Sequence, residues 1–178
     1  MILAMDTATG FCTAACGQRS AGVEAPRGHA EHLAGLIREV APDLSVVTGI
    51  VVGVGPGPYT GLRVGVVTAL TMAEALQVPL AGVCSLDGLG HRLGDGVVVT
   101  DARRREVFAA RYSDGVRVEG PVVIPPAEVE QRWPGMRVLG PYPGLGELAQ
   151  VDAADLLRVP AELPVAPWYL REPDARPQ

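Results

Sequence analysis

The run Gly49-Ile-Val-Val-Gly-Val54 constrains this chain more than any other stretch. Six residues without a polar side chain fit a strand covered on both faces, the kind found in sheets flanked by helices. A Gly/Pro loop follows at 55–59, then a helical pattern from about Thr60 to Leu76 that is stopped before Pro79. Pro79 to Cys84 is a second buried strand, and Ser85 is expected to cap a short helix running to about His91. Strand, long helix and strand in that order make an α/β protein.

Upstream, Ile2 to Asp6, Phe11 to Cys16 and Ser20 to Ala25 are short, apolar and bounded by Gly or Pro, as three strands joined by tight turns would be. His29 to Val40 carries Leu33, Leu36, Ile37 and Val40 at helical spacing, with Glu31, Arg38 and Glu39 elsewhere and Pro42 beyond. A boundary near Gly94-Asp95-Gly96 divides the chain into 1–96 and a smaller 97–178. Val97 to Thr100, Glu106 to Tyr112 and Val116 to Ile124 read as strands of a second sheet. After Pro125-Pro126 only short helices are expected, and the Pro-rich tail from Pro160 to Gln178 should be extended or partly disordered. Both halves start strand-first, which fits a duplicated fold.

With 15 basic against 20 acidic residues the net charge is −5, a poor balance for gripping phosphates. Every basic residue is arginine, which excludes a Schiff-base or P-loop lysine. Cys12 and Cys16 fall four residues apart on one strand, about 13 Å at ~3.3 Å per residue, too far for a disulfide. With Cys84 they are expected to be buried free thiols of a reducing compartment. No leader-like or membrane-spanning run is visible, so a soluble, cytoplasmic protein is expected.

Gly53-Val-Gly-Pro-Gly-Pro-Tyr-Thr-Gly-Leu-Arg-Val-Gly65 is the strongest local feature. A glycine-rich strand-to-helix turn invites a phosphate, but Pro56 and Pro58 offer no N–H and neither nucleotide fingerprint is present. The alternative is a rigid turn with Thr60 as N-cap. Gly61, Gly65, Ala69 and Ala73 then form an i, i+4 stripe with almost no side chain, beside Leu62, Val66 and Leu70. Two glycines on one helix face imply the close approach of another backbone, either the helix's own sheet or a partner. His29 and His32 could place two imidazoles on one side of a helix, as metal ligands or as a polar rim. Asp6-Thr7-Ala8-Thr9-Gly10 sits where actin-type ATPases bring a hairpin to phosphate, though Asp6 could equally orient a turn. Asp6, Thr7, Gly57 and Thr60 are therefore weak nucleotide candidates. Asp101-Ala-Arg-Arg-Arg-Glu106 reads as a solvated turn that could also meet a phosphate.

Taken together these residues resemble the TsaB (YeaZ-like) family. Ile2-Leu-Ala-Met-Asp-Thr-Ala-Thr9 is similar to its opening "ILAIDTST", and His29-Ala-Glu31 with Leu33 to "HSE-L". Residues 52–65 are similar to "VGxGPGSFTGLRIG", Gly82-Val-Cys-Ser-Leu-Asp87 to "GVSSLE", Asp101-Ala-Arg-Arg with Glu106-Val-Phe108 to "DARRxEVY", and Trp168-Tyr-Leu-Arg171 to a terminal "YLR". The chain departs at Ala8, at Pro58-Tyr59 and in a shorter second half. The resemblance implies an ASKHA fold (actin-like ATPase, ribonuclease H-like) of two lobes, each a mixed sheet with flanking helices, the second reduced. It implies a non-catalytic adaptor subunit for threonylcarbamoylation of N6 of adenosine 37 in tRNAs reading ANN codons. The implied partners are the catalytic paralogue TsaD and the ATPase TsaE, with TsaC supplying the adenylate, tRNA met only indirectly, and homodimers formed through similar contacts. No metal and no cofactor of its own is implied, while an adenine nucleotide at the TsaD interface is left open. The docking helices are 29–40 and 60–76, so His29, His32, Leu33, Leu36, Ile37, Val40, Gly61, Leu62, Gly65, Val66, Ala69 and Ala73 are the expected contacts. A metallopeptidase built on His29 and His32, or a small-molecule kinase of the same fold using Asp6 and the 53–61 loop, are the rival readings.

Overall fold

In a computed structural model of the chain, residues 1–25 and 28–170 are described. The elements are β1 (Ile2–Asp6), β2 (Phe11–Cys16), β3 (Arg19–Glu24), α1 (His29–Val40), β4 (Gly49–Gly53), α2 (Tyr59–Leu76), β5 (Leu80–Val83), α3 (Asp87–Leu93), β6 (Gly96–Asp101), β7 (Val107–Ser113), β8 (Val116–Ile124), α4 (Pro126–Arg132), β9 (Val138–Gly140), β10 (Glu147–Leu148) and α5 (Ala153–Leu156). Arg171 of the Trp168–Arg171 motif and the rest of the expected tail lie outside the described residues.

Two five-stranded sheets repeat one plan, ordered β3-β2-β1-β4-β5 and β8-β7-β6-β9-β10. In the first, β1 pairs antiparallel with β2 and parallel with β4, placing Leu3 opposite Cys16 and Ile50. In the second, β6 pairs antiparallel with β7 and parallel with β9, placing Val97 opposite Arg111 and Val138. Three antiparallel strands followed by two parallel ones, twice, is the mixed-sheet, two-lobed arrangement of the actin-like ATPases. The second copy is reduced, since β9 and β10 have only three and two residues.

Helices α1 and α2 cover one face of the first sheet. Leu33, Leu36, Ile37 and Val40 join Leu3, Met5, Cys12, Ile50, Val52, Val66 and Ala69 in one core. The α3 residues Leu89 and Leu93 pack with Val98, Phe108, Tyr112 and Leu139 beneath the second sheet. The short α5 lies between the two, its Ala153 buried against Ala4 and Ala15. Three alanines at one contact let backbones approach, and the Ala153 N–H reaches the Thr13 hydroxyl at 3.3 Å.

Two expected caps are not formed. The second helix begins at Tyr59 behind an extended Pro58, with no side-chain cap, so Thr60 sits inside the first turn. Pro58 fixes φ at −61° and sends the chain into the helix without one. Likewise α3 starts at Asp87, and the Ser85 hydroxyl instead accepts the Gly55 N–H at 3.2 Å. The three cysteines are free and buried, as expected.

Candidate functional site

The loops that follow β1 and β4 pack directly on each other. Asp6, completely buried, accepts the Ala8 N–H on Oδ1 at 2.7 Å and so shapes the β1–β2 turn. Its Oδ2 is closed off from water beside the Ser85 hydroxyl, without a well-aligned hydrogen bond. Burial pushes this carboxyl up to about 6, against the opposing pull of the Ser85 hydroxyl and the Ala8 N–H. Gly57 lies flat on the same turn: a Cβ there would stand 2.2 Å from the Ala8 carbonyl oxygen. Backbone on backbone leaves no room for a phosphate between the turn and the loop.

Thr7 explains the two glycines of the stripe. Its hydroxyl donates to the Gly61 carbonyl at 2.7 Å and accepts the Gly65 N–H at 3.0 Å. It therefore stands between the two members of one helical i, i+4 pair, where only glycine lets it in. A Cβ on Gly61 would come within 2.5 Å of the Thr7 carbonyl oxygen, and one on Gly65 within 2.5 Å of the Thr7 hydroxyl. At Gly61 and Gly65 the close approach is made by the chain's own turn, while Ala69 and Ala73 lie in the core of the first sheet.

The structure places most of the expected contact residues inside the chain. Leu33, Leu36, Ile37, Val40, Gly61, Leu62, Gly65, Val66, Ala69 and Ala73 are all buried within the chain. The physical reason is ordinary: the apolar side of an amphipathic helix covers its own sheet first. Asp6 and Thr7 are likewise internal, while Thr60 is exposed. His29 is half-buried with Nε2 2.8 Å from the Thr9 carbonyl, bracing the turn, whereas His32 is exposed. Among the described residues no three His, Cys, Asp or Glu side chains are grouped to hold a metal. A cleft of about 180 Å³ remains between the sheets, lined by Thr9, Gly10, Glu24, Pro58, Asp101, Arg103, Pro141 and Gln150. It is smaller than the roughly 300–1,000 Å³ of common ligand pockets, and two of its three charged lining residues are acidic.

What the helices do present outward is a different set. On α2, Tyr59, Val67 and Leu70 are 38%, 58% and 47% exposed. On α1, Ala30, Ala34 and Gly35 face solvent. Between the helices runs a shallow, largely apolar groove of about 460 Å³, lined by Ala30, Tyr59, Thr60, Arg63, Val64, Val67 and Thr68. Leu70 stood beside the stripe in the sequence, but Ala30, Ala34, Arg63, Val64, Val67 and Thr68 were missed by sequence reasoning as parts of a surface. The available signal was that residues 62–72 are apolar almost all round the helix, which implies burial on more than one side.

Known proteins resemble this chain in sequence and in fold. A family model described as "TsaD: tRNA N6-adenosine threonylcarbamoyltransferase" matches residues 20–146. The chain is 41% identical over 206 residues to uncharacterized proteins of Mycobacterium tuberculosis and Mycobacterium bovis, covering 99% of this chain and 94% of theirs. It is 32% identical over 125 residues to the tRNA threonylcarbamoyladenosine biosynthesis protein TsaB of Escherichia coli, covering 62% of this chain and 54% of that protein. Among solved structures it is similar to YeaZ from Pseudomonas aeruginosa, with TM-score 0.69 at 28% identity over 88% of each chain. Another Pseudomonas aeruginosa structure, described as similar to peptidase YEAZ, gives TM-score 0.72 at 28% identity over 96% and 99%. No helix among the described residues is long and apolar enough to cross a membrane.

Proposed function

The chain belongs to the tRNA N6-adenosine threonylcarbamoyltransferase family and is TsaB-like, and from that premise we propose that it is a non-catalytic adaptor subunit of the machinery that installs threonylcarbamoyl on N6 of adenosine 37 of tRNA. In this reading it docks on the catalytic paralogue TsaD through the outward faces of α1 and α2, while the ATPase TsaE and the tRNA are met in the assembled complex. The same face would serve a homodimer in the absence of TsaD.

The observation that carries the reading is the open apolar groove in which Val64 and Val67 of α2 meet Ala30 of α1, with Tyr59 also lining it and Leu70 and Ala34 exposed on the same two helices. Contiguous apolar surface of this kind marks interaction sites. The small residues of α1 admit the close approach of a second helix pair. Closure of Gly57 onto Ala8 and the use of Thr7 and His29 in bracing one turn support a scaffold rather than a reaction centre.

Val67→Arg tests it. Arginine at this exposed position leaves the thermal midpoint within about a degree or two, since surface changes cost under ~0.5 kcal/mol. Copurification with TsaD should be lost, and with it the chain's ability to support threonylcarbamoyl transfer in a reconstituted reaction. Undiminished copurification would show that this face is not the dock. Transfer to tRNA by the isolated chain would remove the adaptor reading altogether.

A further inference from the structure

At the Tyr59 end of the groove a charged side chain is held in a fixed pose with most of its hydrogen-bonding capacity unspent. Arg63 lies over the Tyr59 ring, its guanidinium carbon 3.9 Å from the centroid. Its Nε donates to the Tyr169 hydroxyl at 3.2 Å and its Nη2 to the Tyr59 hydroxyl. The two tyrosine rings stack on each other, centroids 4.7 Å apart and 26° between planes. Tyr169 is brought there by the segment after α5: Leu163 bridges to Gly82 at the edge of the first sheet, and the Trp168 N–H donates to the Val54 carbonyl at 2.7 Å. A guanidinium has five N–H donors. Two are used here, on neutral hydroxyls, so three remain, both of those on Nη1 among them. No carboxylate pairs with Arg63 among the described residues.

An exposed arginine normally spreads over many rotamers. This one has that freedom removed in advance, which lowers the entropic cost of meeting a partner. Its charge is uncompensated at the rim of an apolar groove, where a complementary anion fixes register and steers encounter. We propose that Arg63, posed by Tyr59 and Tyr169, is the charge-reading residue of the docking face, and that the protein seated in the groove places a carboxylate on it. The occupant is thus an apolar helical surface with an Asp or Glu at one end. The inference rests on the α1/α2 face being the dock. A nucleic acid is disfavoured because the groove it adjoins is apolar and the chain carries net charge −5.

The test is the affinity of the full chain for TsaD by titration calorimetry at two salt concentrations, for wild type, Arg63→Gln, Tyr169→Phe and Val67→Arg. Arg63→Gln should weaken binding about tenfold and flatten the salt dependence, a change that loss of packing alone would not produce. Tyr169→Phe keeps the ring stack but not the acceptor and should fall between. If Val67→Arg abolishes binding while Arg63→Gln leaves affinity and salt dependence unchanged, the charge-reading role is overturned and the dock stands. If Val67→Arg has no effect either, the dock itself is wrong. Removal of residues 171–178 should leave the Arg63→Gln effect intact; if it erases that effect, the arginine's carboxylate belongs to this chain's own end. Loss of tRNA binding by the isolated chain on Arg63→Gln, with TsaD affinity unchanged, would also overturn the proposal.

Discussion

Gly65→Ala puts the seating of Thr7 into the helix to a quantitative test. In an exposed helix the change would stabilise by up to ~1 kcal/mol through propensity alone. Here the added methyl carbon would stand 2.5 Å from the Thr7 hydroxyl, which must leave. Its bonds to the Gly61 carbonyl and the Gly65 N–H, at 2.7 and 3.0 Å, then break where Thr7 is only 1% exposed and water cannot substitute. An unsatisfied buried hydroxyl costs about 1–3 kcal/mol and overpacking about 1–3 more. Set against the propensity gain, the net loss is roughly 3 kcal/mol, or about 6–12 °C in midpoint for a chain of this size. Urea unfolding followed by circular dichroism measures it, with an unchanged denaturant slope as the check on two-state behaviour. The double variant Thr7→Ala/Gly65→Ala removes the displaced hydroxyl, so it should lose at least ~1 kcal/mol less than the sum of the singles. A Gly65→Ala protein as stable as wild type, or more so, would show that the hydroxyl is not seated in the helix. Gly65→Leu should fail through the fold rather than through any loss of an outward contact.

Two further outcomes follow from buried titratable groups. Asp6 is raised from 3.8 to about 6 by burial, so the fold favours its protonated form. Its stabilising contribution is complete below about pH 4 and is lost as the pH climbs past 6. Asp6→Asn keeps an acceptor for Ala8 and should gain stability over wild type by roughly 2 kcal/mol above pH 7, the difference fading below pH 4; a pH-independent difference in urea midpoint refutes this. Burial also pushes the Cys12 thiol up to about 11 and the Cys84 thiol higher still, and Cys16 is buried as well. At pH 8 a thiol reagent should find no reactive cysteine in the native chain and three after denaturation. Rapid labelling of native protein would contradict the burial.

Much of the fold was legible because it depends on local periodicity. The wholly apolar 49–54 run is the strand β4, and the 3.6-residue spacing of Leu33, Leu36, Ile37 and Val40 is α1. Periodicity says which residues share a face; it does not say what the face covers. What Leu33, Leu36, Ile37 and Val40 cover, their own sheet, is visible only in the packed structure. The i, i+4 glycines likewise announced a close approach without naming Thr7, because nothing in the spacing of 61 and 65 points to a residue 54 positions away. The tyrosine that poses Arg63 was harder still to see. It arrives from the far end of the chain, 106 residues on, along a segment with no regular structure to betray its path.

That path sets an order of events during synthesis. The edge of the first sheet at Gly82 stays open until Leu163 has been made, and Arg63 has only one of its two tyrosines until Tyr169 follows. A product released early would carry Arg63 with Tyr59 alone to hold it, a loose cation at the rim of the groove. A partner that reads that cation would discriminate between whole and broken copies before committing to either.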